Sequence, residues 1–324
     1  MSLKGKHVLV TGAGGFIGSH LCERLLTKGV VVRAIVHGGG AYPARYLSSL
    51  RAPSLLILGG DIRDASFARE CVEGADTVFH LAAVTSVAYS YIHPEETIAT
   101  NVMGTLNVCE AARRTGVRRL VHVSSAGVYG NARENKSIRE DHSVQGCSPY
   151  TAGKLGGDFI VDSYCRSYEL PATTARLFNA YGPRMGSYLI IPTIVLQALY
   201  GDEVKLGDLT PTRNYTYVED VVTALMRMAE EDAVVGEVVH FGSPEVVSMA
   251  DLARRILGIV GRDVPVVRDE SRLRPEKSEI HHVAADCAKA RDLLGWEPKI
   301  SLDDGLRQTV AWVASGGYAF ERQK

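Results

Sequence analysis

Short apolar runs alternate with amphipathic stretches through the first 180 residues of the chain. The runs have the length and composition of buried strands, and they predict strands at 7–10, 30–36, 55–58, 77–81, 119–123 and 172–177. Because most of these strands are separated by helical patterns, we expect an α/β fold with a doubly wound parallel sheet and right-handed crossovers.

Two helical patterns of the first half are long. Between 95 and 115, apolar residues recur at helical spacing, and a second long helix is predicted to begin near Pro149. The second half has shorter units, with helices predicted at 190–200, 218–229, 249–260, 286–294 and 302–313 and a strand at 238–241. The pattern predicts a Rossmann-type core over 1–180 and a smaller substrate-binding lobe over 181–324, interleaved with late core elements. Segments 38–43 and 131–146 are predicted loops.

Composition narrows the functional classes. The 36 lysines and arginines nearly balance 37 aspartates and glutamates, so nucleic acid and anionic membranes are poor candidates for partners. The six cysteines are scattered without metal-ligand spacing, which predicts reduced thiols and no metal site. No apolar run approaches the roughly 18 residues needed to cross a bilayer. We therefore expect a soluble, cytoplasmic protein.

A glycine motif follows the first predicted strand. Gly12 permits a tight turn, Gly15 allows the backbone to approach a pyrophosphate, and Gly18 allows close packing of helix on sheet. Phe16 and Ile17 lie where the following helix begins, at its positive end. The motif predicts a dinucleotide site that includes these five residues.

A second motif places a tyrosine and a lysine four residues apart. Tyr150 and Lys154 share one face of the predicted helix and can reach the same atoms. Ser124 and Ser125 end the strand that precedes them. A tyrosine–lysine pair also occurs by chance on surface helices, but its position after a complete glycine motif favours an oxidoreductase site.

These motifs resemble the extended short-chain dehydrogenase/reductase family, in its nucleotide-sugar epimerase and dehydratase branch. The resemblance runs nearly end to end, through the further blocks Asp61–Asp64, Phe79–Ala83, Asn101–Thr105, Val128–Gly130, Arg176–Arg184, Arg213–Asp220 and Leu293–Trp296.

The resemblance implies the roles of three catalytic residues. Tyr150 would remove a proton from a sugar hydroxyl while a nicotinamide takes the hydride from the same carbon, and Ser125 would bond the reacting oxygen. Lys154 would bind the cofactor ribose and, with the positive nicotinamide, lower the phenol pKa from about 10.

The resemblance also implies two groups of binding residues. Beyond the glycine motif and the tyrosine–lysine pair, the cofactor would contact His37, Asp61, Ile62, Leu81, Ala82, Ala83, Asn101 and Ser124. The substrate would contact Thr85, Ser86, Ser125, Asn179, Arg213 and Arg274, of which the arginines suit a diphosphate.

Two departures from the family pattern affect the interpretation. NAD-preferring members commonly have an acidic residue at the end of the second strand, where this chain has His37. We expect NAD, with NADP not excluded. The dehydratases usually have an acidic residue just before the Val-Tyr-Gly block, where this chain has Ala126 and Gly127. Segments 206–213 and 274–279, in contrast, look more like dehydratase relatives.

Because elimination of water needs acid and base groups, the catalytic positions favour an NAD-dependent 4-epimerase acting on a nucleotide sugar, which we expect to be UDP-linked. Dehydratase, 4-keto reductase and uronic acid decarboxylase remain alternatives, and a non-catalytic dinucleotide-sensing protein is an alternative of another class. The helices around 95–115 and after Pro149 resemble those that form a four-helix bundle across family dimers, so the resemblance implies a homodimer.

Overall fold

A seven-stranded parallel sheet forms the centre of the protein. The computed structural model describes residues 2–38, 46–131, 137–273, 275 and 279–318. The strand order is β11-β6-β5-β4-β1-β2-β3, and every neighbouring pair is parallel. Its strands are β1 His7–Thr11, β2 Val31–His37, β3 Leu55–Gly60, β4 Thr77–His80, β5 Arg119–Ser125, β6 Ala172–Leu177 and β11 Val238–Phe241. The predicted Rossmann-type α/β fold is confirmed.

Helices cover both faces of this sheet. In the first half they are α1 Phe16–Thr27, α2 Ala65–Val72, α3 Val87–Ile92, α4 Pro94–Ile98, α5 Gly104–Thr115 and α6 Pro149–Tyr168. In the second half they are α7 Ile190–Tyr200, α8 Val218–Glu230, α9 Met249–Val260, α10 Ala288–Leu294 and α11 Leu302–Ala314. All the long predicted helices are present, with ends within two residues of the predicted ones except in segment 95–115.

Segment 95–115 is not one uniform helix. A π-helical turn at Ala99–Met103 joins α4 to α5 and packs against α6. Three glycines of α6 allow this close approach: a Cβ at Gly153 would lie 3.1 Å from the Asn101 Cβ, and one at Gly156 would lie 2.9 Å from Val102. The third, Gly157, faces the Asn101 carbonyl oxygen.

Short strands build the lobe. They are β7 Ala180–Tyr181, β8 Val204–Leu206, β9 Thr212–Asn214, β10 Thr216–Tyr217, β12 Val246–Ser248, β13 Val266–Arg268 and β14 His282–Val283. They form three small sheets, β10-β7, β12-β9-β14 and β13-β8, and were not predicted. Strand β11 comes from the second half of the chain and joins the main sheet beside β6, which is the interleaving expected of late core elements. The domain boundary at residue 180 stays a prediction.

Two predicted loops are only partly described. Residues 39–43 of the first lie outside the described residues, as do 132–136 of the second. The described part of the second has one isolated bridge, between Ile138 and Ala285. Among the described residues, no helix is long and apolar enough to cross a membrane.

Candidate active site

The glycine turn between β1 and α1 has the shape of an anion cradle. Gly12 adopts φ +65°, and a Cβ there would lie 2.7 Å from the Ala82 nitrogen. A Cβ at Gly18 would lie 2.3 Å from the Gly12 oxygen. Gly15 differs, because its Cβ would contact only the Gly12 oxygen, at 3.2 Å. No side chain caps α1, so the first N–H groups of the helix, beginning at Phe16, can bind a pyrophosphate.

A buried histidine holds the loop that faces this turn. The Thr11 hydroxyl oxygen accepts the N–H groups of Leu81 and Ala82, each at 3.1 Å. Thr105 donates its only hydroxyl proton to the Asn101 carbonyl, so it must accept Nε2–H of His80, at 3.0 Å. His80 Nδ1 then accepts the Thr11 hydroxyl proton, at 2.8 Å.

Asn101 continues this support one residue further. Its side chain accepts the Val84 N–H at 2.8 Å and donates to the Val84 carbonyl at 3.0 Å. The predicted cofactor residues Leu81, Ala82 and Ala83 therefore lie in a loop held at both ends. Asn101 itself is buried and positions this loop, and its predicted cofactor contact stays a prediction.

The residues predicted to hold the adenosine lie at the ends of β2 and β3. His37 is exposed, and its Nε2 lies 3.5 Å from an Asp61 carboxylate oxygen. Asp61 also accepts Arg63 Nε at 2.8 Å, and this hydrogen bond lowers the pKa of the Asp61 carboxyl. The Ile62 side chain is buried against Gly104 of α5, while Asn107 donates to the Ile62 carbonyl. The three predicted residues are thus close together.

Helix α6 positions the predicted catalytic pair, Tyr150 and Lys154. Ser148 caps the helix in a capping box with Thr151, and Pro149 occupies its first turn. The Tyr150 phenol faces the Ser125 hydroxyl, which also accepts the Gly127 N–H at 3.1 Å. The buried Lys154 ammonium donates to the Val123 carbonyl at 2.7 Å. Tyr150, Ser125 and Lys154 are therefore brought together at the end of β5.

Burial shifts the pKa values of both Tyr150 and Lys154. Burial raises the pKa of Tyr150, and the hydrogen bond with Ser125 only partly opposes this effect. Burial also lowers the pKa of Lys154 to about 8. Desolvation of the phenol dominates the Tyr150 shift, and Lys154 is directed at a carbonyl. The lowering of the Tyr150 pKa expected from Lys154 together with a positive nicotinamide stays a prediction.

The predicted substrate residues lie in two places, before α3 and among the strands of the lobe. Thr85 is exposed, and Ser86 caps α3 by accepting the Tyr89 N–H at 3.1 Å. On the lobe side, Asn179 has φ +30° and donates to the Asn214 carbonyl at 3.1 Å. Arg274 lies outside the described residues.

Arg213, on β9, is largely buried and engaged with the segment before β14. It donates to the carbonyls of Thr212 and Ile280, and its Nη2 lies 3.5 Å from a Glu279 carboxylate oxygen. The predicted contacts of these residues with a nucleotide diphosphate stay predictions.

Sequence reasoning missed a layer of buried polar residues behind the site. Ser124, predicted to face the nicotinamide, is buried beside the Asp158 carboxylate of α6. His122 and Arg176, on β5 and β6, face the same carboxylate. The only available signal was the presence of polar residues inside strands predicted to be apolar. In the described parts of the chain, no group of three or more histidine, cysteine or acidic residues could hold a metal.

Comparison with known proteins supports the family read from the motifs. A family model described as GDP-mannose 4,6 dehydratase matches residues 9–309. A UDP-glucose 4-epimerase of Mycolicibacterium smegmatis is 35% identical over 93% of this chain and 96% of its own. The chain belongs to the nucleotide-sugar epimerase and dehydratase branch of the extended short-chain dehydrogenase/reductases.

Two solved structures similar to this chain contain NAD and belong to enzymes with different reactions. The UDP-glucuronic acid 4-epimerase of Bacillus cereus, solved with UDP-glucuronic acid and NAD, has a TM-score of 0.89 and 29% identity, over 95% of this chain and 99% of its own. The dTDP-glucose 4,6-dehydratase DesIV of Streptomyces venezuelae, solved with NAD and TYD bound, has a TM-score of 0.90 and 30% identity, over 98% and 100%. The family therefore includes both reactions considered for this chain.

Proposed function

We propose that the protein is an NAD-dependent 4-epimerase of nucleotide-diphosphate sugars, with a UDP-linked hexose as substrate. The observation that carries the proposal is the set of groups around Tyr150. The Ser125 hydroxyl faces the phenol and Lys154 follows one turn later on the same face of α6, while the neighbouring turn Ala126–Tyr129 carries no carboxylate. Oxidation and reduction at one carbon need the tyrosine, the serine and the lysine but no carboxylate.

The turn leaves no room for an acidic side chain. Ala126 is buried, and a Cβ at Gly127 would lie 2.9 Å from the Thr151 methyl group. Asp158 is bound to Arg176, and Glu140 accepts the His240 N–H at 2.9 Å. These two nearby carboxylates are thus engaged elsewhere, which supports a reaction without elimination at C5 and C6.

The chain's own residues would divide the chemistry as follows. A bound NAD supplies hydride transfer at C4 of the sugar. Tyr150, as phenolate, takes the proton of the C4 hydroxyl and later returns it. Ser125 accepts the Gly127 N–H, and its own O–H would donate to the sugar oxygen when substrate is bound. Lys154 holds the cofactor ribose. Rotation of the 4-keto sugar between the two transfers gives the epimer.

The glycine turn supports NAD as the cofactor by its shape, since Gly15 leaves the start of α1 open to a pyrophosphate. His37 stands where an acidic residue often selects NAD, so NADP is not excluded. Titration of the protein with NADH and NADPH, followed by fluorescence, measures this preference directly.

Product analysis tests the reaction. UDP-glucose and UDP-galactose, each incubated separately in deuterated water, should reach the same final ratio by NMR with no deuterium at C5. The C4 hydride is recycled through the cofactor, and C5 is never deprotonated. A 4-keto-6-deoxy product or deuterium at C5 would instead establish a dehydratase. A panel with uronic acid and N-acetyl sugars covers the remaining substrates.

We also propose a homodimer formed through the face of α6 and its neighbours. Several apolar side chains are exposed there, namely Ile92, Ile98, Met103, Phe159 and Tyr168. An apolar surface of this kind favours association with a second copy. Phe159→Asp should produce a monomer in analytical ultracentrifugation, while Leu56→Asp, on the edge strand β3, should not. A wild-type protein that sediments as a monomer would contradict the proposal. The cytoplasmic location stays a prediction.

A further inference from the structure

Two buried charges lie one helical turn apart beneath the catalytic tyrosine. Lys154 and Asp158 are each 5% exposed, and their i, i+4 spacing places them on one face of α6. Asp158 accepts Arg176 Nε at 2.9 Å, and Nε2 of His122 lies 3.4 Å from its other oxygen. Burial favours a protonated Asp158, but hydrogen bonds with His122 and Ser124 and the charge of Arg176 outweigh burial and hold the pKa of the Asp158 carboxyl below its usual value. Asp158 is therefore a carboxylate at neutral pH.

The directions of the hydrogen bonds behind Arg176 follow from the Ile138 carbonyl, which can only accept. His240 Nδ1 lies 3.2 Å from the Ile138 carbonyl and must donate to it. Its Nε2 therefore accepts the Tyr129 hydroxyl, at 2.6 Å, and Tyr129 in turn accepts Arg176. This series of hydrogen bonds keeps the Arg176 guanidinium directed at Asp158 and Tyr129.

The histidines in this layer carry no charge at neutral pH. Burial lowers the pKa of His240 to about 3, and burial also lowers the pKa of His80 and of His122. The layer therefore contains two cations, Lys154 and Arg176, and a single anion, Asp158. It has one positive charge in excess, which suits a phenolate formed at Tyr150.

Other ionisable groups on the elements around α6 have partners of their own. Glu96 of α4 accepts a hydrogen bond from the hydroxyl of Tyr89 on α3, at 2.6 Å. On α5, Glu110 pairs with Arg113 and Arg114 at the exposed end of the helix. From the lobe, Tyr188 acts on Tyr150 by its charge alone and raises the pKa of the Tyr150 phenol. Asp158 is the carboxylate that acts on both Lys154 and Tyr150.

We infer that Asp158 is a positioning residue: held by Arg176, it keeps Lys154 in its ammonium form beneath Tyr150. The inference rests on the role proposed above for Lys154 at the cofactor ribose. Without the carboxylate, both Lys154 and Tyr150 would have lower pKa values, because Asp158 raises each of them.

Cofactor binding tests the inference without turnover. NADH binding to protein freed of nucleotide should weaken as pH rises through about 8, where Lys154 loses its proton. In Asp158→Asn, this midpoint should move to lower pH by about one unit or more, as expected for a charge at i, i+4 in a protein interior. The matched control is Asp162→Asn, one turn further on the same helix, where the carboxylate is exposed and pairs with Arg166. Its midpoint should equal that of the wild type.

The pH–rate profile gives a second, independent readout. Both limbs should move to lower pH in Asp158→Asn, since one reports Tyr150 and the other Lys154. A folded Asp158→Asn with an unmoved NADH midpoint would overturn the inference, whatever its rate. If no nucleotide sugar is turned over by the wild type but the NADH midpoint still moves, the epimerase proposal fails and the inference stands.

A second variant covers the case in which Asp158→Asn does not fold because Arg176 is left without its carboxylate. Asp158→Asn combined with Arg176→Met removes both charges. Because Asp158, and not Arg176, is the charge that acts on the pKa of Lys154, the double variant should show the same displacement of the midpoint. A midpoint equal to that of the wild type would again overturn the inference.

Discussion

Two glycines of the β1–α1 turn should respond in opposite ways to the same added methyl group. Gly12→Ala forces an alanine into φ +65°, at a cost of about 1–2 kcal/mol. The new Cβ would also lie 2.7 and 2.9 Å from the N and Cα atoms of Ala82, and relief of such overpacking costs about 1–3 kcal/mol. The free energy of unfolding should therefore fall by roughly 2–5 kcal/mol.

Gly15→Ala should leave stability nearly unchanged. Its φ of −75° suits alanine, and its only close neighbour would be the Gly12 oxygen at 3.2 Å. The methyl group would instead stand in front of the first N–H groups of α1. NADH affinity should fall about tenfold or more, equivalent to about 1.4 kcal/mol, and Gly15→Val should abolish binding.

Urea denaturation and NADH titration measure the two effects separately. Both variants should be compared with the wild type, with the denaturant slope checked for change. Gly15 would be only structural if Gly15→Ala lost as much stability as Gly12→Ala, or if it bound NADH as the wild type does. Either result would contradict the assignment of the β1–α1 turn as the pyrophosphate site.

Three further perturbations address the rest of the site. Tyr150→Phe should bind NADH normally but lower turnover by about two to four orders of magnitude, while Tyr164→Phe on the same helix should keep the wild-type turnover. Equal turnover of Tyr150→Phe and the wild type would contradict the catalytic role of Tyr150. Thr11→Val leaves the Leu81 and Ala82 N–H groups without their side-chain acceptor, so unfolding free energy should fall by about 1–3 kcal/mol and NADH affinity should fall with it. Lys154 has a pKa of about 8 when folded against 10.5 in the unfolded chain, so between these values the unfolded state binds more protons and stability rises with pH, by up to about 3 kcal/mol. Lys154→Met should lose this rise in urea denaturation measured at pH 7 to 10.

The predictable part of the fold is local in the sequence. Strands buried on both faces are nearly continuous apolar runs, and the start of α6 is marked by Ser148 and Pro149. The π turn at Ala99–Met103 was not predictable, because apolar residues at helical spacing over 95–115 do not distinguish a π turn from the α-helix around it. Its cause is the contact with three glycines of α6, which lie some fifty residues away in sequence.

Each of the predicted catalytic residues belongs to a short motif that the sequence shows, whereas the residues that support them depend on strand register. His80 lies opposite His122 across β4 and β5, and Ser124 lies opposite Arg176 across β5 and β6. Only this register places His122, Ser124 and Arg176 beside Asp158, with His80 stacked on His122. A sequence pattern shows each of them as an isolated polar residue in an apolar strand.

These polar interruptions have a physical reason that connects fold and function. A central strand gains stability from apolar side chains, so each buried histidine or arginine lowers stability unless it is bonded. Here His80 bonds Thr11 beside the glycine turn, and Thr11 bonds the loop at Ala82. Asp158 acts on the charge of Lys154. Polar residues within the central strands β4 to β6 are therefore the positions from which a supporting layer can be predicted, once register is known. Apolar replacement of the whole layer should stabilise the sheet while loosening the site.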